Sequence, residues 1–451
     1  MTTRISWLVV LLMVLASPSI IFCQSPPASA GEMLSLEQAI ALALRDNRQV
    51  KNSALEVDKF GDRLAAARTH RLPEFKVSAL GSQLLSSLDF KFERGVFGNY
   101  PNIGPIPAQE TVISTPRQLT AVVVGQVSQP LSPLYRIGLQ LKQLGVGREM
   151  AEQRVSAQQQ AMINNVKRAY YAILQTESAL HTSEETIKLY RELDRVTGEY
   201  VVQQVALKAE SLEVKTRLAK SELEALELNN QLASQKEQLN QLLGRDVHTE
   251  FAVSAAPSFN PFEVDLAAAR ERAVAGRPEI QEARLKIKQA EYDRRIKKSE
   301  YIPDVSLNFI YASPQNINFV PRQVASIGVA MNWEPFDWGR KKREIAEKSR
   351  TIEQAQLSLS ETESAVLIEV NSKFRKLQET RQLLAIGQLA EETAREQLRV
   401  ASNRYTVKAA LLKDVLHAQT ALADANHQYQ QALLAFWTAR ADFEKAIGGE
   451  Q

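Results

Sequence analysis

The sequence predicts a mainly α-helical fold with a small β part, built from one unit written twice. Three observations carry this. First, Leu72-Pro73-Glu74-Phe75-Lys76-Val77 returns as Ile302-Pro303-Asp304-Val305-Ser306-Leu307, an offset of 230 that also aligns Arg48-Gln49-Val50 with Pro278-Glu279-Ile280 and Ala39 with Ala269. Farther along, the offset is 204, from Tyr170/Phe374 through Leu218/Leu422 to Gly244/Gly448. Second, the stretches 135–205 and 340–405 contain no proline. At 1.5 Å per residue each makes a rod about 100 Å long. Third, short segments between the helices alternate with a period of two. The difference between the offsets 230 and 204 places about 26 extra residues in the first copy, between Leu80 and Pro130. A repeat of roughly 200 residues is far too long for a solenoid. Long matched helices with one variable hairpin per copy suggest an elongated conduit more than a catalytic domain.

The elements follow in order. Arg4, the apolar run Ile5 to Ala16 and Ala28-Ser29-Ala30 read as an export signal over residues 1–30, cleaved before Gly31. Lipidation at Cys23 is the rival processing route, but Phe22 stands where such sites want a small residue. Cleavage after Ala30 leaves no cysteine, so packing alone must hold the exported fold. Ser35-Leu36-Glu37-Gln38 is a capping box that starts a helix over 36–46. A second helix runs from Val50 to Arg71 and stops before Pro73. The second copy repeats the pair as Leu266–Ala275 and Glu279–Ser299, with Gly276 between them and Pro278 at the second start.

Four strands are expected between the helices. Leu88, Phe90 and Phe92 alternate with Asp89, Lys91 and Glu93; Leu119, Ala121, Val123 and Val127 alternate with Thr120, Val122, Gln126 and Ser128. Val305, Leu307, Phe309 and Tyr311 form a third, and Ile327 to Asn332 a fourth. The residues between Pro101 and Pro116 read as an external loop. Alternation of this kind fits a transmembrane barrel with a wet lumen and equally a half-buried soluble sheet. No later segment has about 18 continuous apolar residues, so a membrane-embedded form would have to be a β-barrel.

In the long helices, Ile345, Ile352, Leu359 and Val366 recur every seven residues. Val214, Leu218, Ser221, Ala225, Leu228, Leu232, Gln235, Leu239 and Leu242 form a ladder, mirrored by apolar residues from Ala418 to Ala446. Leu212, Ala219, Leu226 and Ala233 form a second ladder beside it. Two seams suit a ring of helices and also an antiparallel bundle. The organisation is therefore a signal (1–30), a first repeat (31–250), a linker (251–263), a second repeat (264–448) and a tail (449–451).

Taken together, this order resembles the TolC-type outer-membrane efflux factors over nearly all of residues 34–448. The landmarks are Leu72-Pro73-Glu74-Phe75 with Gln129-Pro130-Leu131, and Ile302-Pro303 with Trp333-Glu334-Pro335-Phe336. The segment Arg404 to Leu416 follows the family's C-terminal signature, roughly Arg-Tyr-x-x-Gly-x-x-Ser-x-x-Asp-Val-Leu. The resemblance implies a homotrimer whose copies build a 12-stranded β-barrel in the outer membrane and a 12-helix α-barrel through the periplasm. Its implied partners are outer-membrane lipid, a periplasmic adaptor protein and an inner-membrane efflux pump or ABC transporter. It also implies a passive exit duct of a tripartite efflux or type I secretion system, with no cofactor. The alternative from the residues alone is a periplasmic coiled-coil scaffold.

The resemblance places the periplasmic aperture at the start of the last helix. Asp414 matches the signature aspartate, and a threefold ring of carboxylates there would favour cations. His417 stands where some members carry a second acid, which implies a gate of lower negative charge, tunable near neutral pH. Tyr405 matches the tyrosine that helps latch the tip. The adaptor-contact turns are Val205, Ala206, Leu207 and Lys208 in the first copy, and Lys408, Ala409, Ala410 and Leu411 in the second. Lys408 and Leu411 replace the small residues of the signature. Between Tyr200 and Glu210 the first turn reads as one residue longer than between Tyr405 and Asp414. Trp333, Phe336 and Trp338 suit a membrane–water interface.

Other chemistries find little support. The net charge of +3 gives no warrant for nucleic-acid binding. Asp414/His417 and Asp424/His427 sit ten residues apart, about 15 Å on one helix, too far to share a metal within a chain. His70, His181 and His248 have no partner motif, and no phosphate loop or nucleophile elbow occurs.

Overall fold

The chain enters through β1 (Met33–Leu34), and Ser35 then starts α1 (Leu36–Asp46) with the reciprocal cap its sequence requires. Ser35 Oγ accepts from Gln38 N–H at 3.2 Å, and Gln38 Oε1 accepts from Ser35 N–H at 2.9 Å. Such a cap contributes about 1 kcal/mol. The computed structural model describes residues 33–204, 207–254, 265–317, 320–407 and 409–449. The signal over 1–30, with Cys23, and residues 255–263 of the linker lie outside them.

After α1 come α2 (Arg48–Thr69), β2 (Glu74–Gln83), β3 (Leu88–Phe92), β4 (Asn99–Tyr100), β5 (Gly104–Pro105), β6 (Thr111–Thr115) and β7 (Leu119–Pro130). The long hairpin α3 (Pro133–Val202) and α4 (Lys208–Leu243) closes the first copy. The second copy runs through β8 (Ala252–Val253), α5 (Leu266–Gly276), α6 (Pro278–Ser299), β9 (Asp304–Gln315), β10 (Val324–Asn332), α7 (Arg340–Thr406) and α8 (Leu412–Ala446). With 70 and 67 residues, α3 and α7 are rods of about 100 Å.

The duplication is visible in the bonding. At the α1–α2 joint, Asn47 Nδ2 donates to Leu242 O at 2.8 Å; at the α5–α6 joint, Arg277 Nη1 donates to Ala446 O at 3.1 Å. These pairs are related by the two offsets, 230 for the donors and 204 for the acceptors. The carbonyls belong to the last turns of α4 and α8, which lack intrahelical partners. Gly244 and Gly448, one offset apart, follow those helices with φ of +75° and +99°. A Cβ on Gly244 would lie 2.4 Å from Asp46 O, so only glycine lets α4 end against α1.

Around these joints lies the main core, where Ala39, Val166, Ile173, Leu239, Ala273, Ile280, Val370 and Phe443 are fully enclosed. β1 and β8 pair in parallel beside it, and Tyr170 Oη bonds Leu34 O and Ser254 O, each at 2.9 Å. A second, smaller cluster near the far ends of the long helices joins Tyr190, Leu193, Val214, Leu412, Val415 and Leu416.

Laterally, the lower half orders its helices α4–α3–α8–α7, and the upper half α2–α3–α6–α7. One edge of this four-helix sheet is α4 and α2; the other is α7. The first ladder, Val214 to Leu242, is buried or half-buried, as expected of a packed seam. The second ladder, Leu212, Ala219, Leu226 and Ala233, is exposed along α4. On α7, Leu357, Ile368 and Ile386 are also exposed. Spacings of 11 and 18 residues put them within about 20° on one side of the helix. Both edges thus present apolar ladders with no partner among the described residues.

The four-stranded sheet has the order β10-β9-β7-β2, every pair antiparallel. This corrects one expected strand. Leu88–Phe92 is not in this sheet; Glu74–Gln83 takes that place, and β3 pairs with β6 in a separate outer ladder. The expected loop between Pro101 and Pro116 is also partly strand, holding β5 and β6. The two ladders differ in register by one residue. Gln83 faces Leu119, whereas Leu88 faces Thr115, so one extra residue sits on the first strand between them, as in a bulge.

Candidate functional site

Cross-strand partners share a face of a sheet, so the registers sort its side chains into two sets. One face carries Phe75, Val77 and Ala79, then Val127 and Val123, then Leu307, Phe309 and Tyr311, then Ile327, Val329 and Met331. The other carries Lys76 and Ser78, then Gln126 and Ser128, then Ser306 and Asn308, then Ser326 and Gly328, with the apolar Leu80, Val122, Val124, Ile310 and Val324 among them. The apolar face has no cover among the described residues: Val77 is 80% exposed and Ile327 is 72% exposed. The strands have 10, 12, 12 and 9 residues, and about 9–11 tilted residues cross a bilayer. No helix among the described residues is long and apolar enough to do so.

At the junction between this sheet and the helices, Trp333, Phe336 and Trp338 are all exposed, and the Phe336 and Trp338 rings meet edge-on at 4.8 Å. Asp337 fixes the segment by accepting from Gly339 N–H at 3.0 Å and Lys341 N–H at 2.8 Å. Tyr301 and Tyr135 are exposed at the same junction, and Lys341 Nζ lies 5.8 Å over the Tyr301 ring. Both tyrosines escaped the sequence reading. Their signal was position, since each stands two residues from a junction proline, Pro133 or Pro303.

At the opposite end, the helix turns correct an expectation. Both are five residues long, 203–207 and 407–411, and the 204 offset runs through them unbroken. Glu210 Oε2 accepts from Leu207 N–H at 3.4 Å, and Asp414 Oδ2 accepts from Leu411 N–H at 3.0 Å, so the two acids are repeat equivalents. The apparent extra residue arose from matching Tyr200 with Tyr405; the offset pairs Tyr200 with Arg404. Val205, Ala206 and Lys408 lie outside the described residues. Leu207, Lys208, Ala409 and Leu411 are exposed at the tips and Ala410 is half-buried, with Val202 and Val407 adding exposed apolar surface. In a turn without glycine, Gln204 takes the left-handed conformation, φ +61°, at a cost of about 1–2 kcal/mol.

Tyr405 and Tyr200 do meet, with ring centroids 6.2 Å apart. Tyr405 packs onto the lower cluster, and its hydroxyl bonds Thr197. Burial, with Tyr200 nearby, pushes that hydroxyl above its ordinary pKa against the opposing bond from Thr197. Tyr405 therefore ties the tip of the second hairpin to α3 of the first. Asp414 and His417 are exposed one turn apart on α8, and Asp424 lies farther along the same side. These three fall within a sector of about 80°, a polar stripe that the structure leaves open.

At mid-height, Asp442 accepts from Lys373 Nζ at 2.8 Å and Asn164 Nδ2 at 3.1 Å. Burial works against its charge, yet these bonds hold its carboxyl below the ordinary aspartate range. A cavity of about 970 Å³ lies beside it between α1, α3, α5 and α8. Its Lys167 and Arg440 already pair with Glu444. Burial pushes the hydroxyl of Tyr171, stacked on Trp437 at 5.2 Å, up to about 12.

The model of one family, outer membrane efflux protein, matches residues 39–245 and 269–449. Among solved structures, the chain is similar to the outer-membrane channel OprN, with 16% identity, 92% of this chain and 90% of that one covered, and a TM-score of 0.73. It is similar to CusC, with 15% identity, 92% of each chain covered and a TM-score of 0.74. It is also similar to the Campylobacter jejuni outer-membrane channel CmeC, with 16% identity, coverage of 92% and 85%, and a TM-score of 0.73. No curated protein matches the chain. The two-faced sheet, the paired long hairpins and a family match spanning both repeats lead to one conclusion: the chain belongs to the outer membrane efflux protein family, placed in the outer membrane and extending into the periplasm.

Proposed function

We propose that three copies of the chain close into a passive exit duct, with 12 strands in the outer membrane and 12 helices through the periplasm. The observation that carries this is the four-stranded sheet, apolar on one bare face, more polar on the other, and open at both edges. Four strands are too few for a transmembrane barrel, which needs at least about eight. Joining β2 of one copy to β10 of the next satisfies both edges. The same step brings the α4 ladder toward the α7 ladder.

In this assembly the apolar face meets lipid, and the aromatic residues Trp333, Phe336 and Trp338 mark its periplasmic interface. The duct has no energy source; the driving force comes from an inner-membrane pump through an adaptor that contacts the two exposed turns. Asp414 and His417 line the aperture, with Tyr405 latching the tip. Because Asp414 also caps α8, its charge and the start of that helix are coupled.

Electron microscopy of the protein extracted from outer membranes tests the reading. Threefold tubes over about 100 Å long, with a detergent belt at one end, are expected; slender soluble rods would instead support a periplasmic coiled-coil scaffold. For the aperture, Asp414→Asn should lower cation selectivity in bilayer conductance, and unchanged selectivity would remove Asp414 from the constriction.

A further inference from the structure

Cations collect where the four upper helices meet the sheet. Arg68 stands one residue before the end of α2, and Arg71 two residues after it. Lys298 stands one residue before the end of α6, and Lys342 and Arg343 lie within the first four residues of α7. Arg68 and Lys298 are equivalents under the 230 offset. Arg294 is one turn from Lys298 along the same side of α6. All of these side chains are exposed, and none makes an ion pair or a side-chain hydrogen bond among the described residues.

The carboxylates of the same layer are already engaged. Glu300 and Glu344 hold Lys297, Asp304 holds Arg136, Glu334 holds Arg340, and Glu74 holds Lys76. Asp337 accepts from the Gly339 and Lys341 N–H groups. The unpaired cations are therefore a local excess, in a chain whose net charge is only +3. Helix energetics account for part of it, because Arg68 and Lys298 suit the C-terminal ends of α2 and α6. Lys342 and Arg343 do the opposite. With Arg340 and Lys341 they crowd an N-terminus that has no acid in its first turn, where the dipole favours negative charge.

Depth identifies the partner. From Arg294 to the end of α6 is five residues, about 7.5 Å, and the other cations lie closer to the sheet. The headgroup layer on each side of a bilayer is about 5–8 Å thick. The exposed rings of Trp333, Phe336, Trp338, Tyr135 and Tyr301 are interleaved with the cations at this level. Arg71 Nη2 would lie 3.7 Å from a Cβ on Gly138, which sets its guanidinium against α3 one turn from Tyr135. We propose that these cations form a collar that binds anionic phospholipid of the periplasmic leaflet through its phosphate groups. The proposal rests on the apolar face of the sheet lying in lipid. The aromatic rings then sit at the boundary of the acyl chains, and the longer Arg and Lys side chains reach the phosphates.

The test is tryptophan quenching in the purified protein, reconstituted in mixed vesicles of phosphatidylcholine and phosphatidylglycerol. One lipid or the other carries bromine near the headgroup end of its acyl chains. Beyond residue 30 the tryptophans are Trp333, Trp338 and Trp437, and the first two stand at the junction. Brominated phosphatidylglycerol should be enriched at the protein about fivefold over phosphatidylcholine, the effect of one cation near an anionic surface. About 1 M salt, with a Debye length of about 3 Å, should abolish the difference. Lys342→Gln combined with Arg343→Gln should at least about halve the enrichment and leave thermal melting unchanged or raised, because the removed charges oppose the α7 dipole. Equal quenching by the two brominated lipids would overturn the proposal while leaving the sheet in lipid. Quenching by neither would put the sheet outside lipid and overturn the duct reading with it. Enrichment undiminished in this double variant, or in Arg68→Gln combined with Lys298→Gln should the first not fold, would place the anionic lipid elsewhere.

Discussion

Phe309 and Asn308 are neighbours on β9 at the same depth, on opposite faces. Phe309 stands opposite Val127 and Ile327 on the apolar face; Asn308 stands opposite Ser128 and Gly328 on the polar one. Both are near the middle of the 12-residue strand. If the apolar face meets lipid, Phe309→Arg places a guanidinium near the bilayer midplane, at about 2–4 kcal/mol per chain. Each 1.4 kcal/mol is tenfold, so the insertion equilibrium falls roughly 30-fold to 1,000-fold per chain. Three copies in one barrel multiply the loss. Asn308→Arg adds the same side chain facing a wet lumen and should cost no more than about 1 kcal/mol. The assay is urea titration of protein inserted in lipid vesicles, alongside recovery in outer-membrane fractions. Expected is near-complete loss of inserted Phe309→Arg with near-normal Asn308→Arg. Equal effects would show that the sheet is not in lipid, and a larger effect of Asn308→Arg would reverse the faces.

Three further outcomes follow from the helical part. Gly244→Ala should lower stability by at least about 2 kcal/mol, because it adds αL strain to a Cβ placed 2.4 Å from Asp46 O. Gly448→Ala, whose nearest contact would be 3.7 Å away, should show the strain alone; thermal melts of the two compare them. For Asp442, the folded pKa is depressed, so its stabilisation is present above the unfolded pKa of about 3.9 and lost as pH falls through the lower folded value. Asp442→Asn should therefore cost about 1 kcal/mol at neutral pH and flatten the acid limb of denaturant titrations between pH 7 and 3. Tyr405→Phe should lose about 1 kcal/mol with the Thr197 bond and raise the open probability in bilayer recordings; unchanged gating would confine Tyr405 to packing.

The helices were legible because their ends are written locally. Ser35 with Gln38, Pro73, Pro278 and Pro303 fix starts and stops by caps and missing donors. The first strand of the four-stranded sheet was misread for a physical reason. On β2 the apolar face shrinks from Phe75 and Val77 to Ala79 and Gly81, while Leu88, Phe90 and Phe92 alternate more strongly in the outer ladder. Periodicity reports amphipathicity, not which ladder a segment joins, and a one-residue register change leaves no mark in it. At the tips, two tyrosines that touch in space invited alignment although their positions in the repeat differ by one. No local signal marks the amides Gln419, Asn426 and Gln430 of α8 as buried, because a single helix does not tell which polar side faces a second neighbour.

The two edges of the chain are different surfaces, β2 with α4 on one side and β10 with α7 on the other. In the proposed ring, contact between copies is therefore head-to-tail, and such a contact grows until it closes on itself. A chain damaged at one edge still offers its other edge, so it can enter a growing assembly and stop it. In a cell making intact and damaged chains equally, only about one ring in eight would be wholly intact if three copies assemble at random. A lesion at a single edge should then behave as a dominant trait, whereas a chain that fails to fold would simply be absent.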